Sequence, residues 1–314
     1  PPPFFQAEDG IRDNIPSLVG SDMCIRDSNI ALEPKGIVML CKTKKTLDHE
    51  IEIAEMATGL GLEAEVWDID QVRAHDPGLT MDAIGGVFFP YDAYADPAQF
   101  MNVLTKVVRD NGVAIHYNTE VTDFVRHNDK VNEIVSAEGV FQADEIVLAT
   151  GSFTPPLLKK LGMNLIMEAG KGYSVDWVDP PVMPGLSYIL VEARVAVTPM
   201  KSKDRLAGTM ELNGIDLTIN ELRVAGYLKS IEDYFPQFES DKLKDLSPWA
   251  GLRPCSPDGL PFIGRNGKYK NVTVATGHAM LGFTLGPATG KVVSEIVEGK
   301  PTSIDIEKLA LDRF

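Results

Sequence analysis

A mixed α/β fold with an antiparallel sheet in its middle is predicted by three observations. The apolar run I-V-L-A at 146–149 has strand length and ends on Thr150-Gly151, as a strand covered on both faces does. The stretches 188–198 and 206–212 alternate apolar with polar residues, the period of a sheet with one wet face. Near the C-terminus, V-T-V-A-T at 272–276 runs through a glycine-rich turn toward a helical segment at 287–298 that stops at Gly299 and Pro301. The order of these pieces predicts two interleaved domains. Residues 96–167 and 253–314 make one, and 29–95 with 168–252 make an antiparallel second.

The remaining elements follow from local signals. G-I-V-M-L-C at 36–41 reads as a strand, and 46–59 places Leu47, Ile51, Ala54 and Thr58 on one helical face before a glycine stop. W-D-I-D-Q-V-R-A-H-D-P at 67–77 reads as a short helix, and I-G-G-V-F-F-P at 84–90 as a strand with a glycine bend. Asp96 is an N-cap followed by Pro97 at the first helical position, with Phe100, Leu104, Val107 and Val108 on one face until Gly112. Val113, Ile115 and Tyr117 alternate as a strand, 131–145 reads as a hairpin turning near Glu138-Gly139, and 222–235 as a helix closed by Pro236.

Composition narrows the function. A net charge of −15 and a pI near 4.8 repel phosphate backbones, which excludes nucleic acid as a partner. Cys24, Cys41 and Cys255 form neither a disulfide framework nor a zinc spacing, in keeping with a reducing, cytoplasmic location. No apolar run approaches the roughly 18–20 residues that span a bilayer, so no transmembrane segment is expected, and loose attachment to the inner membrane face stays open. Asp68 with Asp70, and Asp241 with Asp245, lack histidine partners at ligand spacing and read as solvated helix faces, so no metal is expected.

Residues 1–28, P-P-P-F-F-Q-A-E-D-G through M-C-I-R-D-S, show no helical or alternating period. The stretch resembles translated adapter read-through, against the alternative of a disordered leader. It is set aside, with the natural chain expected to enter near Asn29.

The chemistry concentrates in W-A-G-L-R-P-C-S-P-D-G-L-P-F-I-G at 249–264 and V-A-T-G-H-A-M-L-G-F-T-L-G-P-A-T-G at 274–290. Arg253, stiffened by Pro254, offers a planar fork of donors suited to a carboxylate, a geometry lysine lacks. Taken by itself, it fits a salt bridge with one of the 45 acidic side chains as well. The Gly277–Phe283 turn lets backbone N–H groups approach an anionic or carbonyl ligand, and the helix that follows adds positive partial charge.

Both motifs resemble the C-terminal half of the FAD-dependent D-amino acid oxidase and dehydrogenase family, which includes glycine and sarcosine oxidases. The resemblance implies an FAD cofactor, an amino acid substrate whose carboxylate Arg253 holds over the flavin, and a Rossmann-like FAD domain interleaved with the antiparallel substrate domain. It implies further that Gly277, His278, Gly282, Phe283 and Thr284 contact the flavin ring and ribityl chain. Thr150-Gly151 would run beside the phosphates, and the Val121 backbone would meet the adenine. Tyr173, in K-G-Y at 171–173, would wall the pocket, although sheet packing explains an aromatic there equally well.

One feature departs from the family. The chain has no G-x-G-x-x-G after a strand and no acidic ribose-binding residue beyond one, and Gly59-Leu60-Gly61 follows a helix and lacks the third glycine. The resemblance therefore implies an incomplete FAD-binding domain and an N-terminally truncated, inactive piece. The implied reaction removes hydride from the α-carbon of a D-amino acid, glycine or an N-methylated relative, with a quinone or another acceptor taking the electrons. Two other readings stay open: a flavin-dependent 2-hydroxy-acid dehydrogenase, and a non-catalytic carboxylate-binding subunit.

Overall fold

The computed structural model describes residues 32–314. The 1–28 leader and the first residues of the expected substrate-side segment lie outside the described residues.

The chain opens with β1 (Ile37–Cys41), α1 (Lys44–Gly59), β2 (Glu65–Asp68), α2 (Ile69–His75) and β3 (Gly85–Phe89). Helix α3 (Pro97–Asp110) follows, started by the Asp96 carboxylate, which accepts from the Ala98 and Gln99 N–H groups at 2.8 and 3.2 Å. Strands β4 (Val121–His127), β5 (Lys130–Ser136) and β6 (Gly139–Gln142) form a separate antiparallel meander. Then come β7 (Ile146–Leu148), α4 (Thr154–Lys160), and the strands β8 (Glu168–Val178), β9 (Ser187–Leu190), β10 (Val195–Met200) and β11 (Lys203–Leu212). Helices α5 (Glu221–Tyr234) and α6 (Ser240–Leu243), strands β12 (Trp249–Cys255), β13 (Phe262–Arg265) and β14 (Val272–Thr276), and helix α7 (Gly282–Val297) complete the order.

Eight strands make the main sheet, in the order β12-β8-β11-β10-β9-β1-β3-β2, all antiparallel except the β1–β9 pair. Helix α5 covers one of its faces. Val224, Tyr227, Leu228, Ile231 and Tyr234 recur at helical spacing and are buried against Leu206, Val195 and Tyr188. Each such side chain removed from water contributes about 1.5–3 kcal/mol. A second core gathers Phe124, Leu148, Leu158, Leu161, Phe262 and Val274 around the sheet β13-β14-β7, whose β14 and β7 run parallel.

Four sequence expectations are corrected. Trp67 and Asp68 end β2 rather than open a helix; Asp68 is the cap of α2, exchanging hydrogen bonds with Gln71 at 2.9 Å in both directions. The alternating 113–117 segment pairs with no strand among the described residues, and Val113 and Tyr117 are exposed. Strand β7 is not covered on both faces, since Val147 is 41% exposed. Helix α7 begins at Gly282, ahead of the expected 287, and carries Pro287 inside it. Proline is favoured in the first helical turn because its missing donor would be unbonded there; here it falls in the second turn, so the signal misplaced the boundary.

One buried group carries a stability consequence. Asp204 on β11 is fully buried, and neither carboxylate oxygen has a partner among the described residues. Burial, and secondarily the nearby Asp76 carboxylate, pushes its pKa up to about 7. The unfolded chain releases this proton near pH 4 and the folded chain holds it to about pH 7, so Asp204 costs stability as pH rises across that window. Asp204→Asn is expected to stabilise the protein relative to wild type by roughly 2–4 kcal/mol at pH 8 and to change little at pH 4. Denaturant midpoints at the two pH values check this, and an equal difference at both would contradict it.

Candidate functional site

Arg253 stands on β12, the outermost strand of the main sheet. One edge of β12 pairs with β8. The other meets the glycine-rich turn: the Ala279 N–H donates to the Pro254 carbonyl at 2.9 Å, and Cys255 bridges His278 in antiparallel fashion. The strand that carries the arginine and the turn after β14 are therefore joined backbone to backbone. A third piece arrives from β7, whose terminal turn Gly151–Phe153 packs against β12 and β14. The Thr276 hydroxyl fastens it by donating to the Gly151 carbonyl at 3.1 Å.

The guanidinium of Arg253 lies flat on β8, because Gly172 has no side chain; a Cβ there would stand 2.0 Å from Nη1. Nη1 donates to the Thr209 carbonyl at 3.2 Å. Thr209 sits where the β11 register against β8 shifts between Gly208 and Glu211, with φ at +66°, a left-handed conformation that a β-branched residue rarely adopts. Such bulges re-aim backbone groups, and here one aims a carbonyl at the guanidinium. Among the described residues no carboxylate pairs with Arg253, and burial pulls its pKa below the ordinary arginine value. A partly desolvated cation with donors to spare favours a planar, two-oxygen anion, which is the shape of a carboxylate.

The turn is built for close approach. Gly277 is buried with φ at +83°, and a Cβ there would stand 3.0 Å from the Phe262 ring, so both conformation and space require glycine. Gly151 has φ at +54° and open space where a Cβ would point. Helix α7 starts with no side chain capping it, which leaves the first-turn N–H groups of Gly282, Phe283 and Thr284 facing outward. Phe283 is 38% exposed and packs edge to face on Phe100 of α3, ring centroids 5.0 Å apart. Burial lowers the His278 pKa, keeping its imidazole neutral at pH 7, and its Nε2 shares a 2.9 Å hydrogen bond with the Thr289 hydroxyl. His278 thus contributes backbone rather than charge. Thr150 is exposed, its hydroxyl sharing a 3.0 Å bond with that of Thr154. The buried Ser152 hydroxyl, in the same turn, has no partner among the described residues. Unobstructed glycine backbone, an uncapped helix start and an orphaned hydroxyl fit a cofactor rich in carbonyl and phosphate oxygens.

Val121 and Tyr173 stand apart from this turn. Val121 begins β4 in the separate meander, opposite Ser136, beside a register irregularity at Thr122 that interrupts the ladder. Tyr173, expected at the pocket wall, instead points into the main core at 1% exposure. Successive strand residues face opposite ways, so with Gly172 under the guanidinium the Tyr173 ring takes the other face. Its hydroxyl donates to Glu211 at 2.6 Å and accepts from the Asn220 N–H at 3.1 Å. Asp70 and Asp241 make exposed ion pairs with Arg73 and Lys244.

Sequence reasoning passed over Thr209 and the glycines under the arginine. Gly170, Gly172 and Gly251 alternate with side-chain-bearing residues at strand period, a pattern that signals close approach of another group. Thr209 gave no such signal, because its bulge exists only in the pairing of β11 with β8.

The architecture, one large antiparallel sheet whose edge strand abuts a glycine-lined strand-to-helix turn, matches known proteins. Residues 21–296 match the family described as DAO, FAD dependent oxidoreductase, and the chain belongs to that family. It is an oxidoreductase whose cofactor is FAD. It is 32% identical over 285 residues to the D-amino acid dehydrogenase of Vibrio atlanticus, covering 89% of this chain and 68% of that protein. With the D-amino acid dehydrogenase of Bradyrhizobium diazoefficiens it shares 31% identity over 311 residues, 96% of this chain and 73% of the relative. Among solved structures, glycine oxidase from Geobacillus kaustophilus has the same fold, with a TM-score of 0.85 at 24% identity over 96% of this chain and 81% of that one. Among the described residues no helix is long and apolar enough to cross a membrane, and no cluster of His, Cys, Asp or Glu is arranged to hold a metal.

Proposed function

We propose that this protein oxidises amino acids, D-amino acids foremost, with Arg253 holding the substrate carboxylate beside the FAD cradle. The observation that carries the reading is a guanidinium with no carboxylate partner among the described residues, on a strand bonded directly to the Gly277–Ala279 turn. Gly151, Gly277, Gly282, Phe283 and Thr284 would hold the cofactor through their backbone, with Val121 nearer its adenine end. When bound, FAD supplies a two-electron acceptor.

The protein's own part is alignment. Arg253 fixes the carboxylate through a two-toothed ion pair, and the Thr209 carbonyl keeps the guanidinium from swinging. With the carboxylate fixed, the α-carbon has one approach to the cofactor, and holding reactants in that geometry supplies much of the rate. The His278 ring is engaged with Thr289, and no side-chain base is required when the substrate amine arrives neutral. Loss of hydride from the α-carbon leaves an imino acid, which water converts to a keto acid and ammonia. The D-amino acid dehydrogenase relatives favour this reading over a 2-hydroxy-acid dehydrogenase or a non-catalytic subunit. The division into an FAD part (96–167 and 253–314) and a substrate part (29–95 and 168–252) is supported by the two separate cores, with the adjustment that Arg253–Cys255 pair in the substrate-side sheet.

The full-length protein, loaded with FAD, is expected to be yellow and to bleach anaerobically on addition of a D-amino acid. Absence of bleaching with D-amino acids, glycine and sarcosine alike would contradict the assignment. Reoxidation of the bleached protein by oxygen or by a quinone then identifies the class of acceptor.

A further inference from the structure

Opposite its core, the main sheet carries a run of glycines beside Arg253: Gly170, Gly172 and Gly251. Register pairs Arg253 with Gly170 and Gly251 with Gly172, and paired residues on antiparallel strands point to the same face. Two flat groups rest on this glycine floor. The guanidinium covers Gly172, and the Trp249 indole folds back over Gly251, where a Cβ would stand 2.3 Å from its Cη2. Because Gly172 and Gly251 are partners, the two groups lie on neighbouring strands spaced about 4.8 Å apart. On the opposite flank, the Met210 sulfur stands 3.4 Å from where a Gly170 Cβ would be, and Leu212 is Gly170's other cross-strand partner.

These flanking groups are open to solvent. Trp249 is 66% exposed, Leu212 65% and Met210 43%, and the indole N–H has no partner among the described residues. A forked cation between an exposed aromatic plate and two exposed aliphatic groups matches a carboxylate that carries an apolar side chain.

We propose that Trp249 is a specificity-determining residue: its indole receives the substrate side chain while Arg253 holds the carboxylate, so that amino acids with aromatic or branched aliphatic side chains are preferred to glycine and sarcosine. This rests on the amino acid oxidation proposed above. The indole's apolar face gains contact only with a substrate that has a side chain to offer, and glycine offers none.

The test compares the FAD-loaded protein with Trp249→Ala and Trp249→Phe in anaerobic bleaching by D-phenylalanine, D-leucine and glycine. Trp249→Ala is expected to lower kcat/KM for the first two by about 10- to 100-fold, chiefly through KM, to leave glycine unchanged, and to be rescued for D-phenylalanine by Trp249→Phe. As a readout independent of turnover, D-phenylalanine should quench the tryptophan fluorescence of flavin-free protein, and Trp249→Ala should abolish that change; Trp67 is buried on the far edge strand of the sheet, and Trp177 packs on the core face against Phe238. Equal losses for glycine and D-phenylalanine, or none for either, would overturn the role of Trp249 alone. Failure of every amino acid to bleach the unmutated protein would overturn the function itself, and the Trp249 assignment with it.

Discussion

Arg253→Ala is expected to lower kcat/KM for a D-amino acid by roughly 30- to several-thousand-fold, the effect of about 2–5 kcal/mol for removing one partner of a desolvated charge pair. The loss should fall on substrate, because among the described residues the guanidinium bonds only to the Thr209 carbonyl, and the cradle at Gly151 and Gly277 is backbone. FAD content, read from the ratio of flavin to protein absorbance, should be unchanged. Arg253→Lys should recover part of the loss, since lysine restores the charge without the fork. Stopped-flow bleaching across a substrate range checks the kinetics. An unchanged kcat/KM would remove Arg253 from the site.

Gly172→Ala is expected to cost about 10²-fold in kcat/KM while leaving the fold intact, because a displacement of about 1 Å at a positioning group suffices for such a loss. The new Cβ would stand 2.0 Å from Nη1 and 2.5 Å from both Cζ and Nη2, so the guanidinium must lift off β8. The obstacle is the end of a flexible side chain, and the backbone of Gly172 lies outside the left-handed region, so Tm should move little. Combining Gly172→Ala with Arg253→Ala separates this account from a general weakening of the sheet. Once the guanidinium is gone, the extra methyl has nothing to displace, and the double variant should be no worse than Arg253→Ala alone. Additive losses would mean that Gly172 acts through something other than Arg253.

Much of the framework was legible because its signals are local. The Asp96-Pro97 start of α3, the β5–β6 turn at Glu138-Gly139 and the V-T-V-A-T strand are each specified by residues within a few positions of one another. Errors arose where a local signal had two outcomes. Pro287 sits inside α7 rather than at its start, and 113–117 has the alternation of a strand without a neighbour to pair with among the described residues.

The site divides in the same way. Arg253 and the Gly277 turn announce themselves through residue types, and the backbone bonds at Pro254–Ala279 and Cys255–His278 join them. Tyr173 could not be assigned to a face without its register: Gly172 opposite Gly251 sends the guanidinium to one side of β8 and the tyrosine to the other. Thr209 and Trp249 depend on the same long-range pairing. Their roles come from what lies beside them, which the order of residues does not display.

A crystal structure of the FAD-loaded protein with a D-amino acid or an unreactive carboxylate analogue tests the central claim most directly. The account predicts both carboxylate oxygens within about 3 Å of Arg253, and the ligand's α-carbon facing the flavin held at the Gly277–Phe283 turn. A ligand carboxylate held by other groups, with Arg253 still bonded only to the Thr209 carbonyl, would contradict it.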